Sequence, residues 1–306
     1  MGAERNNPLS AALARKREHG SAGETTGHRL LNHGGLRVTD VVCTSGPRDM
    51  PFEEAHSMTS IAIVLSGTFS YRSDHGRALM TPGSLLIGNS RRCFTCGHDH
   101  GEGDRCLAFM FDDALFERIA ADSGVRRTQM AGLRVPFLRS TAPLIARAKA
   151  SLRDPGVLEE VGLDLAQTAL RIHENARTPR FAARDERRVA EVVRHIEGAF
   201  AQPHALLDLA QRAGLSPFHF LRLFRKIAGV SPHQMLLRLR LNAAALQLRT
   251  TQEQITDIAY AVGFEDLSNF IRTFRTEFGT APSLYRAGQG SKRSPRGSVA
   301  RSSGAG

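Results

Sequence analysis

One stretch of this 306-residue chain is written twice. Leu206–Pro232 (LLDLAQRAGLSPFHFLRLFRKIAGVSP) and Ile255–Pro282 (ITDIAYAVGFEDLSNFIRTFRTEFGTAP) align with Leu206/Ile255, Leu209/Ile258, Ala210/Ala259, Gly214/Gly263 and Leu215/Phe264 at a constant offset of 49. Past one inserted residue, Phe220/Phe270, Arg222/Arg272, Phe224/Phe274, Arg225/Arg275, Gly229/Gly279 and Pro232/Pro282 continue at an offset of 50. A period of this size marks a duplicated supersecondary unit. Each copy reads as a short helix, a Gly-containing turn and a second helix, the layout in which two helices pack steeply against each other.

In the first copy Leu206, Leu209 and Ala210 are expected to face inward, with Gly214 supplying the turn. Ser216 fits an N-cap and Pro217 the first helical position. Phe220, Leu223, Phe224 and Ile227 then recur three and four apart, an apolar stripe aimed at a core. The opposite stripe is Phe218, Leu221, Arg222 and Arg225. In the second copy Phe270, Phe274 and Phe278 look inward, and Leu267, Ser268, Ile271, Arg272 and Arg275 look out. Arginines on the outer face of a second helix suit the major groove, because a guanidinium fork can bond a guanine edge at two points. Helical repeats also build solenoids and protein-docking bundles, and outward arginines also serve as a solvated face.

Between the copies Ser231-Pro232 opens a helix running to about Arg249, with Met235, Leu239 and Leu246 on one face and Leu237, Leu241 and Leu248 on a neighbouring one. Eighteen or so residues span roughly 27 Å, close to the pitch of B-DNA. Two recognition helices on such a spacer could enter successive major grooves on one face of a duplex.

The stretches Leu215–Pro232, Arg240–Leu248 (RLNAAALQL) and Ile255–Arg286 closely resemble the AraC/XylS family of bacterial transcription regulators, over about one third of the chain. The resemblance implies a seven-helix DNA-binding domain over about 184–288, and a transcription factor whose partners are promoter or operator DNA, RNA polymerase and a small-molecule effector. It places base contacts on Phe218, Leu221 and Arg222 in the first copy and on Leu267, Ser268, Ile271 and Arg272 in the second, with Arg225 and Arg275 on the same faces. Apolar Phe218 and Leu221 depart from the polar residues often found there, and either suits a thymine methyl.

The charge balance agrees with an acidic partner. Lys and Arg outnumber Asp and Glu by 41 to 30, a formal +11. Lys292, Arg293, Arg296 and Arg301 fall in a tail over 289–306 that reads as disordered, as do residues 1–30, with Arg177-Thr178-Pro179-Arg180 in a linker over 177–183. No apolar run is long enough to span a bilayer, Met1–Thr26 lacks the core of a signal peptide, and Asn6 spoils the myristoylation signal that Met1-Gly2 begins. A cytoplasmic protein without a membrane partner is expected.

Residues 31–176 read as a sensor. Short β-type runs at Arg37–Cys43, Ser60–Leu65, Thr68–Tyr71, Ala78–Met80, Ser84–Ile87 and Leu107–Phe111 are broken by Ser66-Gly67, Asp74-His75-Gly76 and Thr81-Pro82-Gly83, the pattern of a small antiparallel barrel or sandwich. Helical spacing follows over Ala114–Ser123, Thr141–Arg153 and Val157–Glu174. From His56 through IAIVLSGTFSYRSDHGRALMTPGSLLIGN the stretch resembles the cupin-like sensor domain of many members of that family, implying a jelly-roll barrel that could hold an effector, then helices that often dimerise. The expected fold class is therefore α+β in two domains: a cupin-like antiparallel β-barrel with following helices, then an all-α double helix-turn-helix domain.

All four cysteines, Cys43, Cys93, Cys96 and Cys106, lie in that first half, and in a reducing compartment they read as free thiols or metal ligands. Cys96, His98, His100 and Cys106, with Cys43 and His56 as candidates to fold nearby, are ligand types that zinc or copper prefers. A metal or thiol sensor, or a metal- or thiol-dependent cupin enzyme fused to a DNA-binding domain, is the alternative reading. His98 and His100 would alternate on one strand face, but no Glu follows at the cupin-enzyme spacing, Glu102 arriving too early. The same segment also fits a Gly- and Asp-rich turn with half-buried thiols, or contacts to an organic effector. No catalytic residue, enzymatic activity or resident cofactor is expected.

Overall fold

The computed structural model describes residues 8–125, 128–152, 155–173 and 181–288. Linker residues 177–180 and the tail 289–306 lie outside the described residues.

The strand-rich half is made of two antiparallel sheets. Strands β1 (Thr25–His33), β2 (Leu36–Cys43), β9 (Asp104–Phe111), β4 (Thr59–Gly67), β7 (Leu85–Gly88) and β10 (Arg134–Val135) lie side by side in that order. The second sheet runs β3 (Phe52–Ala55), β8 (Cys93–Gly97), β5 (Phe69–Ser73) and β6 (Gly76–Met80). The strands thus form an open two-sheet arrangement rather than the closed barrel that was expected, because among the described residues β1, β10, β3 and β6 each keep one unpaired edge.

The side-chain period of two sorts the large sheet into two faces. Leu107, Phe109 and Phe111 of β9 point to one side, where Val38, Ile61, Ile63 and Leu85 join them. That core is covered by helices α2 (Asp113–Asp122), α3 (Ala142–Ser151) and α4 (Leu158–His173). Asp112 caps α2 by accepting from the Leu115 amide at 2.7 Å. Cys106 and Ala108 point the other way and pack with Val64, Phe69, Tyr71 and Met80 between the sheets.

Residues 8–30, expected to be disordered, are built into this half. Helix α1 (Pro8–His19) buries Leu9, and Lys16 is salt-bridged to Asp49 at 2.8 Å. Strand β1 pairs along β2 from Thr25↔Cys43 to His33↔Leu36. Its side chains stay largely exposed because it is an edge strand held by main-chain bonds, so the sequence carries no apolar alternation there.

From residue 181 the described chain is helical: α5 (Ala183–Gly198), α6 (Leu206–Arg212), α7 (Pro217–Ala228), α8 (Pro232–Thr250), α9 (Ile255–Ala261), α10 (Leu267–Phe278) and α11 (Pro282–Arg286). The two copies build two separate cores. Val189, Val193, Leu209, Phe220 and Phe224 form the first, and Leu241, Ile258, Phe270, Phe274 and Tyr285 the second. Helix α8 enters both, with Met235 and Leu236 in the first core and Ala244, Ala245 and Leu248 in the second. Its start is fixed by a capping box in which the Gln234 amide donates to Ser231 Oγ and the Ser231 amide donates to Gln234 Oε1. One expected core residue is not one: Leu206 is 39% exposed, because it sits on the first turn of α6 with only later turns covered.

The halves meet along α3, α5 and α7. Arg134 donates to the Leu79 carbonyl at 2.7 Å and to the Ile227 carbonyl at 2.6 Å, placing a cation against the last turn of α7. Gly229, in the left-handed region at φ 79°, abuts Pro136 so closely that a Cβ there would lie 2.4 Å from Pro136 Cγ. Among the described residues no helix is long and apolar enough to cross a membrane.

Candidate nucleic-acid interface and sensor pocket

Helices α7 and α10 are built alike. Each starts at an N-cap side chain, Ser216 accepting from the His219 amide and Asp266 accepting from the Ser268 and Asn269 amides. Each ends at a left-handed glycine, Gly229 at φ 79° and Gly279 at φ 74°, whose amide donates to the Arg225 or the Arg275 carbonyl. Phe220, Phe224 and Ile227 on one helix and Phe270 and Phe274 on the other are fully buried, so the rotation of each helix about its axis is set by its core.

That rotation turns the remaining stripes outward. Arg222 and Arg225 are exposed, Leu221 is half-buried, and Phe218 is 80% exposed. On α10, Ser268, Ile271, Arg272 and Arg275 are exposed and line one shallow concavity, with Leu267 half-buried beside them. Arg272 Nη2 donates to Asn269 Oδ1 at 3.1 Å, which holds the guanidinium along the helix.

One buried polar connection was not expected. Arg238 of α8 donates through Nε to Glu277 Oε1 of α10 at 2.7 Å, both side chains being at most 10% exposed, and its Nη1 donates to the Phe137 carbonyl of the strand-rich half. It joins α8, α10 and the neighbouring half.

Between the sheets lies a pocket of about 270 Å³. Sheet register assembles its polar wall: Cys43 stands opposite Asp104, Val41 opposite Cys106, and Tyr71 opposite Cys96. Asp104 and Cys106, two apart, therefore share a face of β9. His98 Nε2 lies 2.6 Å from Asp104 Oδ1, and the Cys106 thiol donates to Asp104 Oδ2 at 3.3 Å. The opposite wall carries His56, stacked on Phe94 with ring centroids 4.1 Å apart and hydrogen-bonded to the Tyr71 hydroxyl at 2.7 Å.

Burial holds His56 neutral, lowering its pKa to about 4. His98 goes the other way. Burial opposes its charge, but the hydrogen bonds to Asp104 and Cys43 outweigh it and push its pKa up to about 9. The Cys43 thiol is raised by burial and lowered by its hydrogen bond to His98, with a net fall. Burial and the Asp104 charge push the Cys96 and Cys106 thiols well above the usual value.

Of the predicted sensor residues, Cys96, His98 and Cys106 come together in the pocket, and Cys43 and His56 join them. His100 does not: His98 and His100 follow β8 in a turn rather than alternating on a strand face, since the chain must reverse here to enter β9. His100 turns away to Glu186 of α5, its Nε2 3.3 Å from Glu186 Oε1. Cys93 is exposed, and all four cysteines are free. Glu102 pairs at the surface with Arg17 at 3.0 Å. Asp104 was missed as a site residue. Its only signal was its place two residues before Cys106 in a β-alternating run.

A helix-turn-helix domain model matches residues 209–288, all of the second copy of the repeat and all but the first three residues of the first, without the helix α5 packed on them. The HTH-type transcriptional activator AarP of Providencia stuartii is 37% identical over 98 residues, covering 32% of this chain and 73% of that one. The transposon Tn10 TetD protein of Escherichia coli is 36% identical over 98 residues, 32% of this chain and 71% of that one. A solved AraC-type DNA-binding domain regulator from Chromobacterium violaceum is 30% identical, covering 37% of this chain and all of that one, at a TM-score of 0.33. The duplicated unit, the helix-turn-helix domain match and the identities with AarP and TetD, each covered over more than two thirds of its length, converge on one family: the chain belongs to the AraC/XylS family of transcription regulators.

Proposed function

We propose that this DNA-binding transcription regulator grips two successive major grooves with the outer faces of α7 and α10, and that an effector in the pocket between its sheets controls that grip. The supporting observation is the shared architecture of the two helices. A capping side chain at the start, a left-handed glycine at the end and a phenylalanine-anchored rotation present Phe218, Leu221, Arg222 and Arg225 on one and Leu267, Ser268, Ile271, Arg272 and Arg275 on the other. Helix α8, 19 residues and so about 28 Å long, is buried in both cores and acts as a stiff spacer.

In this reading residues 31–176 are the cupin-like sensor and 184–288 the DNA-binding domain. The two-sheet pocket supports the first assignment and the seven helices the second. Duplex DNA at a promoter, RNA polymerase beside it and a second copy of the chain are the macromolecular partners, and the compartment is the cytoplasm. The contact of Arg134 with α7, and that of the Phe137 carbonyl with α10 through Arg238, give the sensor half a hold on both recognition helices.

Electrophoretic shifts with DNA upstream of the chain's own and adjacent genes test the reading. Arg222→Ala and Arg272→Ala should each weaken specific binding about 5- to 150-fold, the worth of a bidentate base contact. Full specific binding by the double variant would refute the assignment of the recognition faces.

A further inference from the structure

DNA binding leaves one cluster of reactive groups without a task. Cys43 at the end of β2, His98 after β8 and Asp104 at the start of β9 are all buried, and each offers a ligand atom within 4.8 Å of the other two. Cys106 Sγ lies 3.3 Å from the same carboxylate, and Cys96 lines the same pocket. Cys43 of β2 is brought by strand pairing to one imidazole, one carboxylate and two thiols of the 96–106 segment, while the rest of the wall, which also carries Glu54 and His56, is mainly apolar, including Val41, Phe69 and Phe94. Thiols and an imidazole beside one carboxylate are the donor set of zinc and its softer relatives, and thiols are poor ligands for calcium or magnesium.

We propose that Cys43, His98, Asp104 and the neighbouring Cys106 bind a thiophilic divalent metal ion of the zinc and cadmium class, and that this ion is the effector. The second clause rests on the effector-controlled regulator described above; the first does not. Metal–ligand bonds of about 2.0–2.3 Å in tetrahedral array hold ligand atoms about 3.5 Å apart. His98 and Asp104 now lie 2.6 Å apart in a direct hydrogen bond, so an ion seated between them takes the place of that bond and widens the pair by about 1 Å.

The widening falls on the turn over residues 98–104, which touches the helical half. His100 lies against Glu186, which is fully buried and ion-paired with Arg77. Gly101 packs against the Arg194 side chain, whose Nη1 would lie 2.8 Å from a Cβ at that position. Glu186 and Arg194 both belong to α5, which is packed against α7 in the first core. Two of the metal ligands, His98 and Asp104, thus bracket the short turn that carries the contact with the DNA-binding half.

The full-length chain, kept reduced, is titrated with Zn²⁺ and with Cd²⁺ against a chromophoric chelator, and with Co²⁺ for its thiolate charge-transfer band. The expected result is one ion per chain and a cobalt–thiolate band. Cys43→Ser and Asp104→Asn should each weaken binding more than 10-fold, and Cys93→Ser, which alters an exposed thiol outside the pocket, should leave it unchanged. No stoichiometric ion and no band in the wild-type chain would overturn the site, as would a disulfide among Cys43, Cys96 and Cys106 under these conditions. Operator affinity is then compared with and without Zn²⁺. A change that His100→Ala abolishes while Zn²⁺ still binds supports the effector role, and an unchanged affinity with the ion bound overturns it. Absence of operator binding in every metal state would instead count against the recognition-helix reading.

Discussion

Removing Glu277 should uncover a buried cation. In Glu277→Ala the Arg238 guanidinium, whose side chain is only 10% exposed, loses its 2.7 Å partner and keeps the Phe137 carbonyl. Stripping one member from a buried ion pair costs about 3–5 kcal/mol, because the remaining charge is neither paired nor solvated. With a urea slope of about 2 kcal/mol per molar, the unfolding midpoint falls by about 2 M. Replacing both members, Arg238→Met with Glu277→Leu, removes the stranded charge and fills the space with apolar atoms, leaving the unpaired Phe137 carbonyl as the main penalty at about 1–3 kcal/mol. The double variant should therefore be more stable than Glu277→Ala alone.

The chain has no tryptophan, so unfolding is followed by the far-ultraviolet circular dichroism of the helices. Because Glu277 sits on the core side of α10, the single variant should also weaken operator binding by loosening a helix whose outer face is unchanged. A cost below about 1 kcal/mol for Glu277→Ala, or a double variant no better than the single one, would refute the claim that this pair is a desolvated joint.

Two further perturbations probe the contact between the halves. Gly229→Ala should cost about 1–3 kcal/mol more than Gly279→Ala, because both glycines have positive φ but only the first abuts Pro136, nothing lying within 4 Å of a Cβ at Gly279; equal losses in paired denaturation curves would mean that Pro136 does not press on α7. Glu197 of α5 accepts from the Gly67 amide of the opposite half, and burial pushes its pKa up to about 7 despite that bond and the nearby Lys149 and Arg194 charges. A carboxyl whose folded pKa is raised contributes stability below its unfolded value near 4.5, and that contribution is lost as pH rises through about 7. Thermal unfolding from about pH 5 to about pH 8 should thus show the wild type losing stability relative to Glu197→Gln, and a constant difference between them would contradict the buried, shifted carboxyl.

What the sequence disclosed followed from how locally each signal was written. The repeat, the Ser216-Pro217 and Ser231-Pro232 starts and the phenylalanine stripes are short-range patterns, and the helices formed where those patterns placed them. Helix α1 was illegible because Leu9 is its one fully buried residue and its anchor, Lys16 to Asp49, spans 33 positions. Strand β1 was illegible because an edge strand with exposed side chains needs no apolar alternation. Cys96, His98 and Cys106 could be grouped because they are close in sequence, whereas Cys43 joins Asp104 only through the pairing of β2 with β9. Arg238 with Glu277, and Arg134 with Ile227, are long-range pairs of residues that look like solvated surface until both halves are folded.

The central claim is that one chain reads two grooves at once. Methylation interference on a bound operator, at a ratio of one chain per site, measures this directly. The account predicts two clusters of major-groove purine contacts on one face of the duplex, about one helical turn apart, with Arg222→Ala erasing one cluster and Arg272→Ala the other. A single cluster, or two clusters both lost to one substitution, would contradict it.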